Sequence, residues 1–217
     1  MKLYFSPLAC SLATRIALYE ANADGVTYVE VDTRTKEMED GGDLRSVHPL
    51  GMVPTLVLEN GEVLAESAAV LQFVADRYPD ARLAPRDAWD RARMQQWLSF
   101  IGTELHKTLY VPLMDRTAAD AVKAYALAKV PSRLAWLAPR LEGRAFLFEH
   151  FTVADAYLFA VLNWSAVTPV DLEPWPAIRA YHAGLHQRPS VARAFAEERA
   201  RYLAKLERQR QAAAHST

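Results

Sequence analysis

The pattern of apolar residues changes at Tyr78. Before this residue, strand-like and helix-like segments alternate, whereas after it only helical periodicity is found. Lys2–Phe5 and Val26–Val31 are rich in the Val, Tyr and Phe that strands favour. The segment between them repeats its apolar residues at helical spacing and ends near Gly25. This pattern predicts a β-α-β unit with parallel strands and a right-handed crossover.

A hairpin and a second helix complete the predicted first domain. Pro54–Leu58 and Glu62–Ala65 flank Glu59-Asn60-Gly61, and Asn-Gly is a strong signal for a tight hairpin. Ser67 precedes the helical periodicity of Ala68–Tyr78 and is predicted to be its N-cap. The predicted order is therefore β-α-β-β-β-α, an α/β layer on one mixed sheet.

The rest of the chain is predicted to be all-α. The proline-bounded segment Pro79–Pro85 predicts a linker, which divides the chain into a first domain (1–78), the linker (79–86) and a helical domain (87–217). Five helices are predicted in the last part, at Asp87–Met114, Ala118–Leu141, Val153–Val167, Pro174–Gln187 and Ser190–Leu206.

Two further local signals lie in the helical part. Thr152 precedes a helix and Asp155 follows three residues later, which predicts a capping box. We interpret this pair as structural rather than chemical. The polar tail, Glu207–Thr217, is predicted to be frayed.

The composition excludes several classes of function. The chain has 25 basic and 26 acidic residues, so nothing in its charge favours nucleic acid or an anionic membrane as a partner. It lacks the run of about 20 apolar residues that spans a bilayer. The apolar start breaks at Ser6-Pro7, short of the roughly 7–15 residues of a secretory signal. One cysteine allows no internal disulfide, and together these features predict a cytoplasmic protein.

That single cysteine, Cys10, lies directly before the first predicted helix. The free N–H groups and dipole of a helix N-terminus favour an anion, so the pKa of Cys10 is predicted to be lowered and the thiol partly ionised near neutral pH. A lone cysteine is equally well explained as a small buried apolar residue. The absence of a second cysteine excludes a dithiol relay within one chain and leaves single-thiol chemistry with an external thiol open.

Two other pairs of residues have both a structural and a functional interpretation. Val53-Pro54 opens a strand and is compatible with a cis peptide bond, although base rates favour trans. At Glu66-Ser67, a helix N-terminus beside a carboxylate suits the zwitterionic head of an amino acid. A capping serine next to an exposed glutamate needs no ligand, so this signal is weak.

His106 completes a row of polar residues in the long predicted helix, with Ser99 and Thr103 at i, i+4 and i+7. A polar row on so apolar a helix either faces water or lines a cleft. A satisfied interdomain histidine is the simpler interpretation of His106. No grouping has metal-ligand spacing, and no phosphate-binding glycine motif is present.

Six segments together resemble the bacterial (beta-class) glutathione S-transferases, across nearly the whole chain. The segments are KLYFSPLACSLA (Lys2–Ala13), DGGD (Asp40–Asp43), HPLGMVP (His48–Pro54), ESAAVLQ (Glu66–Gln72), TELHK (Thr103–Lys107) and FTVADAYLFAVLNW (Phe151–Trp164). The combination of Cys10, Val53-Pro54, Glu66-Ser67 and TELHK at this spacing is specific to that family. Ser99 and His48 depart from it, because the family often has Asn at the first position and usually has Asn at the second.

The resemblance implies a thioredoxin-like domain that binds glutathione and a helical domain that forms the electrophile site. It makes Cys10 and His106 the catalytic residues, with Pro54 in cis. It assigns the glutathione contacts to Ser11, Lys36, Val53, Pro54, Glu66, Ser67, Ser99 and Thr103. It assigns the electrophile pocket to Tyr110 and Trp164. It also implies a homodimer, glutathione as co-substrate and no permanently bound cofactor or metal.

The function expected from this resemblance is glutathione transfer to small hydrophobic electrophiles in detoxification, with thiol-disulfide or peroxidase activity through Cys10. Two alternatives stay open at this point. One is a dedicated glutathione-dependent reductive dehalogenase or thiol transferase. The other is a non-enzymatic binding or regulatory module with the same fold, which has no need to keep Cys10, Val53-Pro54 and Glu66-Ser67 together.

Overall fold

The structure is a computed structural model that describes residues 1–214, without the side chains of residues 209 and 212–214. A four-stranded mixed sheet forms its first part. The strand order is β2-β1-β3-β4; β1 runs parallel to β2 and antiparallel to β3, and β3 pairs antiparallel with β4. The strands are β1 (Lys2–Phe5), β2 (Thr27–Glu30), β3 (Thr55–Val57) and β4 (Val63–Ala65).

Alternation along β1 divides its side chains between two apolar clusters. Leu3 and Phe5 point into the main core, whereas Tyr4 packs on the other face with Val29 and Leu44. Two helices cover the core face, α1 (Leu12–Glu20) and α2 (Ser67–Arg77). The order β-α-β-β-β-α is that predicted from the sequence.

Only helices and helical turns follow in the described part of the chain after α2. They are α3 (Ala88–Phe100), α4 (Val111–Met114), α5 (Asp120–Leu141), α6 (Val153–Leu162), α7 (Pro176–His186) and α8 (Pro189–Ala214), with 3₁₀ turns at Pro79–Ala81 and Asn163–Val167. The predicted fold class, a thioredoxin-like domain followed by a helical domain, is confirmed. The exact boundaries at residues 78 and 86 stay predictions. None of the described helices is both long and apolar enough to cross a membrane.

The helix predicted over Asp87–Met114 is present from Ala88 to Met114, but its middle is not α-helical. A π-helical stretch, Ile101–Tyr110, lies between α3 and α4. Within it the Thr108 hydroxyl donates to the Thr103 carbonyl oxygen at 2.7 Å, five residues earlier. Because a π-helix has more residues per turn than an α-helix, side-chain spacing counted for an α-helix fails across this stretch.

The prediction of a frayed tail is also wrong for the residues that the structure describes. Helix α8 continues eight residues past the predicted end at Leu206, to Ala214. This extension is rich in Glu, Arg, Gln and Ala, which are strong helix formers, so polarity alone was a poor guide. His215–Thr217, the rest of the predicted tail, lie outside the described residues.

The predicted capping box at the start of α6 is confirmed. Asp155 accepts hydrogen bonds from the Thr152 N–H at 2.7 Å and from the Thr152 hydroxyl at 2.8 Å. It also accepts from the Leu147 N–H at 2.8 Å and from the Tyr181 hydroxyl. All ten residues of α6 are buried, so this helix is the centre of the helical part and packs directly on α1.

Candidate functional site

The loop that carries Cys10 runs from β1 to α1 and is held from both sides. Inside the loop, the Ser11 hydroxyl bonds to the N–H and the carbonyl oxygen of Ser6, at 3.2 and 3.3 Å. From the helical part, Glu198 accepts from the Leu8 N–H at 2.7 Å, and the Trp164 indole N–H donates to the Leu8 carbonyl oxygen at 2.8 Å. The predicted glutathione contact Ser11 therefore has its hydroxyl engaged within the loop and fully buried, and only its backbone N–H faces the Cys10 sulfur.

The Cys10 thiol is 7% exposed and donates a hydrogen bond to the Val53 carbonyl oxygen at 3.2 Å. Burial raises the pKa of this thiol. The Ser67 hydroxyl, the Lys107 ammonium and the N–H groups of Cys10 and Ser11 each lower the pKa, but their effects are smaller than that of burial. The prediction of a lowered pKa is therefore wrong for the protein without ligand. The anion-stabilising groups are present, but the loss of hydration outweighs them.

The peptide bond between Val53 and Pro54 is cis, as the resemblance implied and against the base-rate expectation. Lys36 lies beside the turn that leads to this bond. Its side chain is so near to Gly51 that a Cβ on that glycine would stand 3.2 Å from the Lys36 Cδ. The Lys36 ammonium donates to the Thr33 carbonyl oxygen at 2.6 Å.

Helix α2 begins one residue earlier than the sequence predicted. Ser67 is the first residue of α2, and Glu66 occupies the N-cap position with φ 71° and ψ 119° and no side-chain capping bond. The prediction of Ser67 as N-cap is wrong because the chain turns sharply one residue earlier. The Glu66 carboxylate is exposed, while the buried Ser67 hydroxyl lowers the pKa of both the Cys10 thiol and the Tyr157 phenol.

His106 is buried in the π-helical stretch, against α6. Its Nδ1 lies 2.8 Å from the Tyr157 hydroxyl, and its ring lies 4.9 Å from that of Trp164. Burial, with a smaller contribution from the Lys107 charge, lowers the pKa of His106 to about 4. The side chain is therefore neutral at physiological pH, and among the described residues its Nε2 has no hydrogen-bond partner.

The polar row predicted from α-helical spacing is not one surface. Ser99 and Thr103 are exposed, with the Thr103 hydroxyl donating to the Ser99 carbonyl oxygen at 2.9 Å, whereas His106 points inward. The π-helical stretch causes this difference, because it changes the angle between successive side chains. These two predicted glutathione contacts are therefore not brought to Cys10 within one chain.

The two residues predicted for the electrophile pocket are both buried, and one of them, Trp164, packs against the ring of His106. Tyr110 is fully buried, its hydroxyl lies 2.6 Å from the Ser165 hydroxyl, and burial raises its pKa to about 12. Its ring packs edge-on against Trp164 at 5.7 Å. This aromatic pair backs the His106 ring rather than forming an open surface.

Sequence reasoning missed two residues of this site, Tyr157 and Lys107. Tyr157 lies in the fully buried helix α6, and a buried phenol requires a hydrogen-bond partner, which was a usable signal. Lys107 follows His106, yet no rule of spacing assigns its charge to the distant Cys10. Both relations depend on tertiary packing.

Strained backbone supports the location of the site. Five non-glycine residues of the described chain have positive φ, and three of them, Leu8, Lys36 and Glu66, are site residues or lie beside one. Such conformations are costly and concentrate at functional sites. Two cavities elsewhere, of about 360 and 520 Å³, are lined by other residues, such as Arg82 and His150 in the first and Asp32 and Lys205 in the second.

Comparison with known families agrees with the two-part fold. Residues 9–77 match the family model for the glutathione S-transferase N-terminal domain, and residues 101–189 match that for the glutathione S-transferase C-terminal domain. Among curated proteins, the chain is 38% identical over 200 residues to glutathione S-transferase GstA of Escherichia coli O157:H7. That alignment covers 91% of this chain and 98% of the relative.

Solved structures resemble the chain equally well. A bacterial beta-class glutathione S-transferase from Sphingomonas chungbukensis superposes with a TM-score of 0.86 at 42% identity, covering 91% of this chain and 98% of that one. A sphingomonad glutathione S-transferase complexed with glutathione superposes with a TM-score of 0.85 at 42% identity, with the same coverage. The resemblance to the bacterial beta class is therefore confirmed.

Proposed function

We infer that this chain, which belongs to the glutathione S-transferase family, is an enzyme that conjugates the thiol of glutathione to small hydrophobic electrophiles. Glutathione is its co-substrate. The observation that carries the assignment of the site is the convergence on the Cys10 sulfur of the Val53 carbonyl oxygen, the Ser67 hydroxyl and the Lys107 charge. We assign glutathione to this cluster, with Glu66 at its γ-glutamyl head and Lys36 at its glycyl end.

The conjugation step needs a glutathione thiolate. Glutathione loses its proton to solvent, and the thiolate attacks the electrophilic carbon and displaces its leaving group as an anion, or adds to an activated double bond that then takes a proton. The groups that lower the pKa of the Cys10 thiol, Lys107 and the N–H groups of Cys10 and Ser11, can stabilise a glutathione sulfur bound beside it. His106 contributes as a neutral ring rather than as a cation.

A second activity, thiol-disulfide exchange, is favoured by the Cys10 thiol itself. The Cys10 thiolate attacks the glutathione sulfur of a glutathionylated substrate, which breaks the substrate's S–S bond, forms a mixed disulfide between Cys10 and glutathione and releases the substrate as a thiolate. A second glutathione thiolate then attacks the mixed disulfide, which frees Cys10 and yields oxidised glutathione. Because the Cys10 thiol donates to the Val53 carbonyl oxygen, it must first lose that proton.

Replacement of Cys10 by Ala separates these two activities. We expect Cys10→Ala to lose glutathione-dependent disulfide reduction by more than about a hundredfold and to keep conjugation within roughly tenfold, because only the first reaction uses the Cys10 sulfur as nucleophile. Steady-state rates of both reactions and retention on immobilised glutathione are the measurements. Cys10→Ser, which keeps a hydroxyl for the Val53 carbonyl oxygen, is the matched control.

The outcomes of this experiment differ for each alternative. Loss of both activities with glutathione binding intact would make Cys10 a participant in conjugation as well. Wild-type protein that binds glutathione but conjugates nothing across a panel of electrophiles would contradict the proposed reaction. Wild-type protein that reduces disulfides only would identify a dedicated thiol transferase.

We further propose that the enzyme is a homodimer and acts in the cytoplasm in detoxification. Ser99 and Thr103 are exposed, and so are apolar side chains such as those of Met52, Val63 and Trp89, which supports a second copy as their partner. Sedimentation equilibrium should therefore give twice the chain mass, and a single-chain mass would contradict the dimer. Cell fractionation and the electrophile sensitivity of a strain without the gene test the other two assignments.

A further inference from the structure

Tyr157 is the side chain through which α6 reaches the site. It is 3% exposed, and its hydroxyl lies 2.8 Å from the His106 Nδ1. Gly102 of the π-helical stretch closes over it, so that a Cβ on that glycine would lie 3.5 Å from the Tyr157 hydroxyl. The Ser67 hydroxyl acts on both Tyr157 and Cys10. Tyr157 therefore bonds to His106 directly, and Ser67 lies near enough to both Tyr157 and Cys10 to lower the pKa of each.

The direction of the hydrogen bond between Tyr157 and His106 follows from their chemistry. Burial raises the pKa of Tyr157, so its hydroxyl keeps its proton, and His106 is neutral. The phenol has one proton and two neighbours that can accept it, the His106 Nδ1 and the Ser67 oxygen. An imidazole nitrogen is a much better acceptor than an aliphatic hydroxyl. The Tyr157 proton therefore goes to Nδ1, and the imidazole proton must be on Nε2.

We propose that Tyr157 is a positioning residue that holds His106 in the Nε2–H tautomer, so that His106 donates a hydrogen bond to the glutathione sulfur instead of accepting its proton. This proposal rests on the proposed function for the identity of the sulfur. It deepens that function because it assigns His106 the role of a hydrogen-bond donor. A residue that orients a neighbouring imidazole in this way determines which chemistry the imidazole performs.

The opposite arrangement gives the opposite chemistry. If Tyr157 accepted from an Nδ1–H, the free Nε2 would carry a lone pair and His106 would be a general base. The two arrangements differ in the sign of one measurable change. A hydrogen bond donated to Nδ1 stabilises neutral imidazole, and its loss raises the pKa of His106. A hydrogen bond accepted from Nδ1–H stabilises the protonated ring, and its loss lowers that pKa.

The test is nitrogen NMR of protein labelled with ¹⁵N-histidine, without glutathione. In the wild-type protein we expect His106 to show a protonated Nε2 and a bare Nδ1. In Tyr157→Phe, which keeps the ring and therefore the burial of His106, we expect the pKa of His106 to rise above its wild-type value of about 4 and the tautomers to mix. Tyr110→Phe removes another buried phenolic hydroxyl, one that contacts Ser165 and not His106, and it should leave the His106 signals unchanged.

The charge of Lys107 affects the pKa of His106, and Cys10 and Glu66 affect the pKa of Tyr157. Neither variant changes these three residues, so a change in the His106 signals can be assigned to the lost hydroxyl. A wild-type spectrum with the proton on Nδ1, or a fall or no change in the His106 pKa in Tyr157→Phe, would overturn the proposal. The wild-type spectrum decides the tautomer even if the variant does not fold.

A kinetic measurement connects the tautomer to the reaction. In conjugation, we expect Tyr157→Phe to lower kcat about three- to tenfold with little change in the KM for glutathione, because a donor to the thiolate is weakened rather than a binding contact removed. An unchanged kcat would overturn the role in catalysis. If the enzyme bound no glutathione at all, the proposed function would fail, and the NMR result on the free protein would still stand or fall by itself.

Discussion

Replacement of Asp155 by Ala is expected to lower the free energy of unfolding by about 3–5 kcal/mol. The carboxylate is fully buried and accepts from the N–H groups of Leu147 and Thr152 and from the hydroxyls of Thr152 and Tyr181. Alanine leaves both N–H groups and the Tyr181 hydroxyl without an acceptor, in a place that water does not reach. Each unsatisfied buried donor costs about 1–3 kcal/mol.

Urea unfolding measures this loss, provided that the slope of the transition is unchanged. Asp171→Ala is the matched control, because within residues 1–214 the exposed Asp171 accepts only from the Glu173 N–H, at 2.8 Å, and we expect it to cost less than about 1 kcal/mol. Asp155→Asn should fall between the two, since it keeps one acceptor oxygen and turns the other into a donor. Equal losses for Asp155→Ala and Asp171→Ala would show that the buried network contributes nothing.

The second large effect is expected at Glu198, which is fully buried in α8. It accepts from the Leu8 N–H at 2.7 Å and lies 3.0 Å from the Arg15 guanidinium, which is itself packed between the rings of Phe5 and Tyr28 at 4.2 Å from each. We expect Glu198→Ala to cost about 2–4 kcal/mol, because it leaves the buried Leu8 N–H without an acceptor and the buried Arg15 guanidinium with one partner fewer.

The same substitution should also affect activity, because the Leu8 N–H belongs to the loop that presents Cys10. We expect a raised KM for glutathione, measured in the conjugation assay. Glu197→Ala is the matched control: Glu197 is the preceding residue and contacts Arg15 at 3.2 Å, the Tyr19 hydroxyl and Arg193 at 3.0 Å, but it is partly exposed. It should cost about 1 kcal/mol, because Arg15 keeps Glu198 and the other two partners are themselves at least partly exposed. A loss for Glu198→Ala no larger than this would contradict the assignment.

The pH dependence of stability gives an independent test at Glu198. Burial raises its pKa to about 8, although Arg15 opposes that rise. A raised carboxyl pKa means that the folded protein holds a proton that the unfolded chain releases, so this group costs stability as the pH rises from 4.5 to about 8. Glu198→Gln, which cannot ionise, should therefore gain stability relative to the wild type over that interval. A constant difference across the interval would show that the pKa is not raised.

The parts of this structure that follow local rules could be predicted from the sequence. The hairpin at Asn60-Gly61, the capping box at Thr152 and the order of strands and helices depend on neighbours in the chain, and all three agree with the structure. The N-cap of α2 was placed one residue late because Glu66 has a positive φ, which cannot be predicted for a glutamate from its residue type.

The chemistry of the site could not be derived in the same way. The pKa of Cys10 depends on how deeply the fold buries its sulfur, and burial outweighs the helix N-terminus that the sequence reveals. The bond between Leu8 and Glu198 joins residues 190 positions apart, and no periodicity indicates it. Tyr157 and His106 are 51 positions apart and meet only because α6 packs on a π-helical stretch.

The loop that holds the thiol depends on residues that are synthesised long after it. Its two supports, Trp164 and Glu198, follow Leu8 by 156 and 190 positions. On the ribosome, the sheet and its helices emerge well before either support, so the nascent loop has only its internal bonds between Ser6 and Ser11. Cys10 is therefore expected to gain its full protection from alkylation only after α8 has been synthesised.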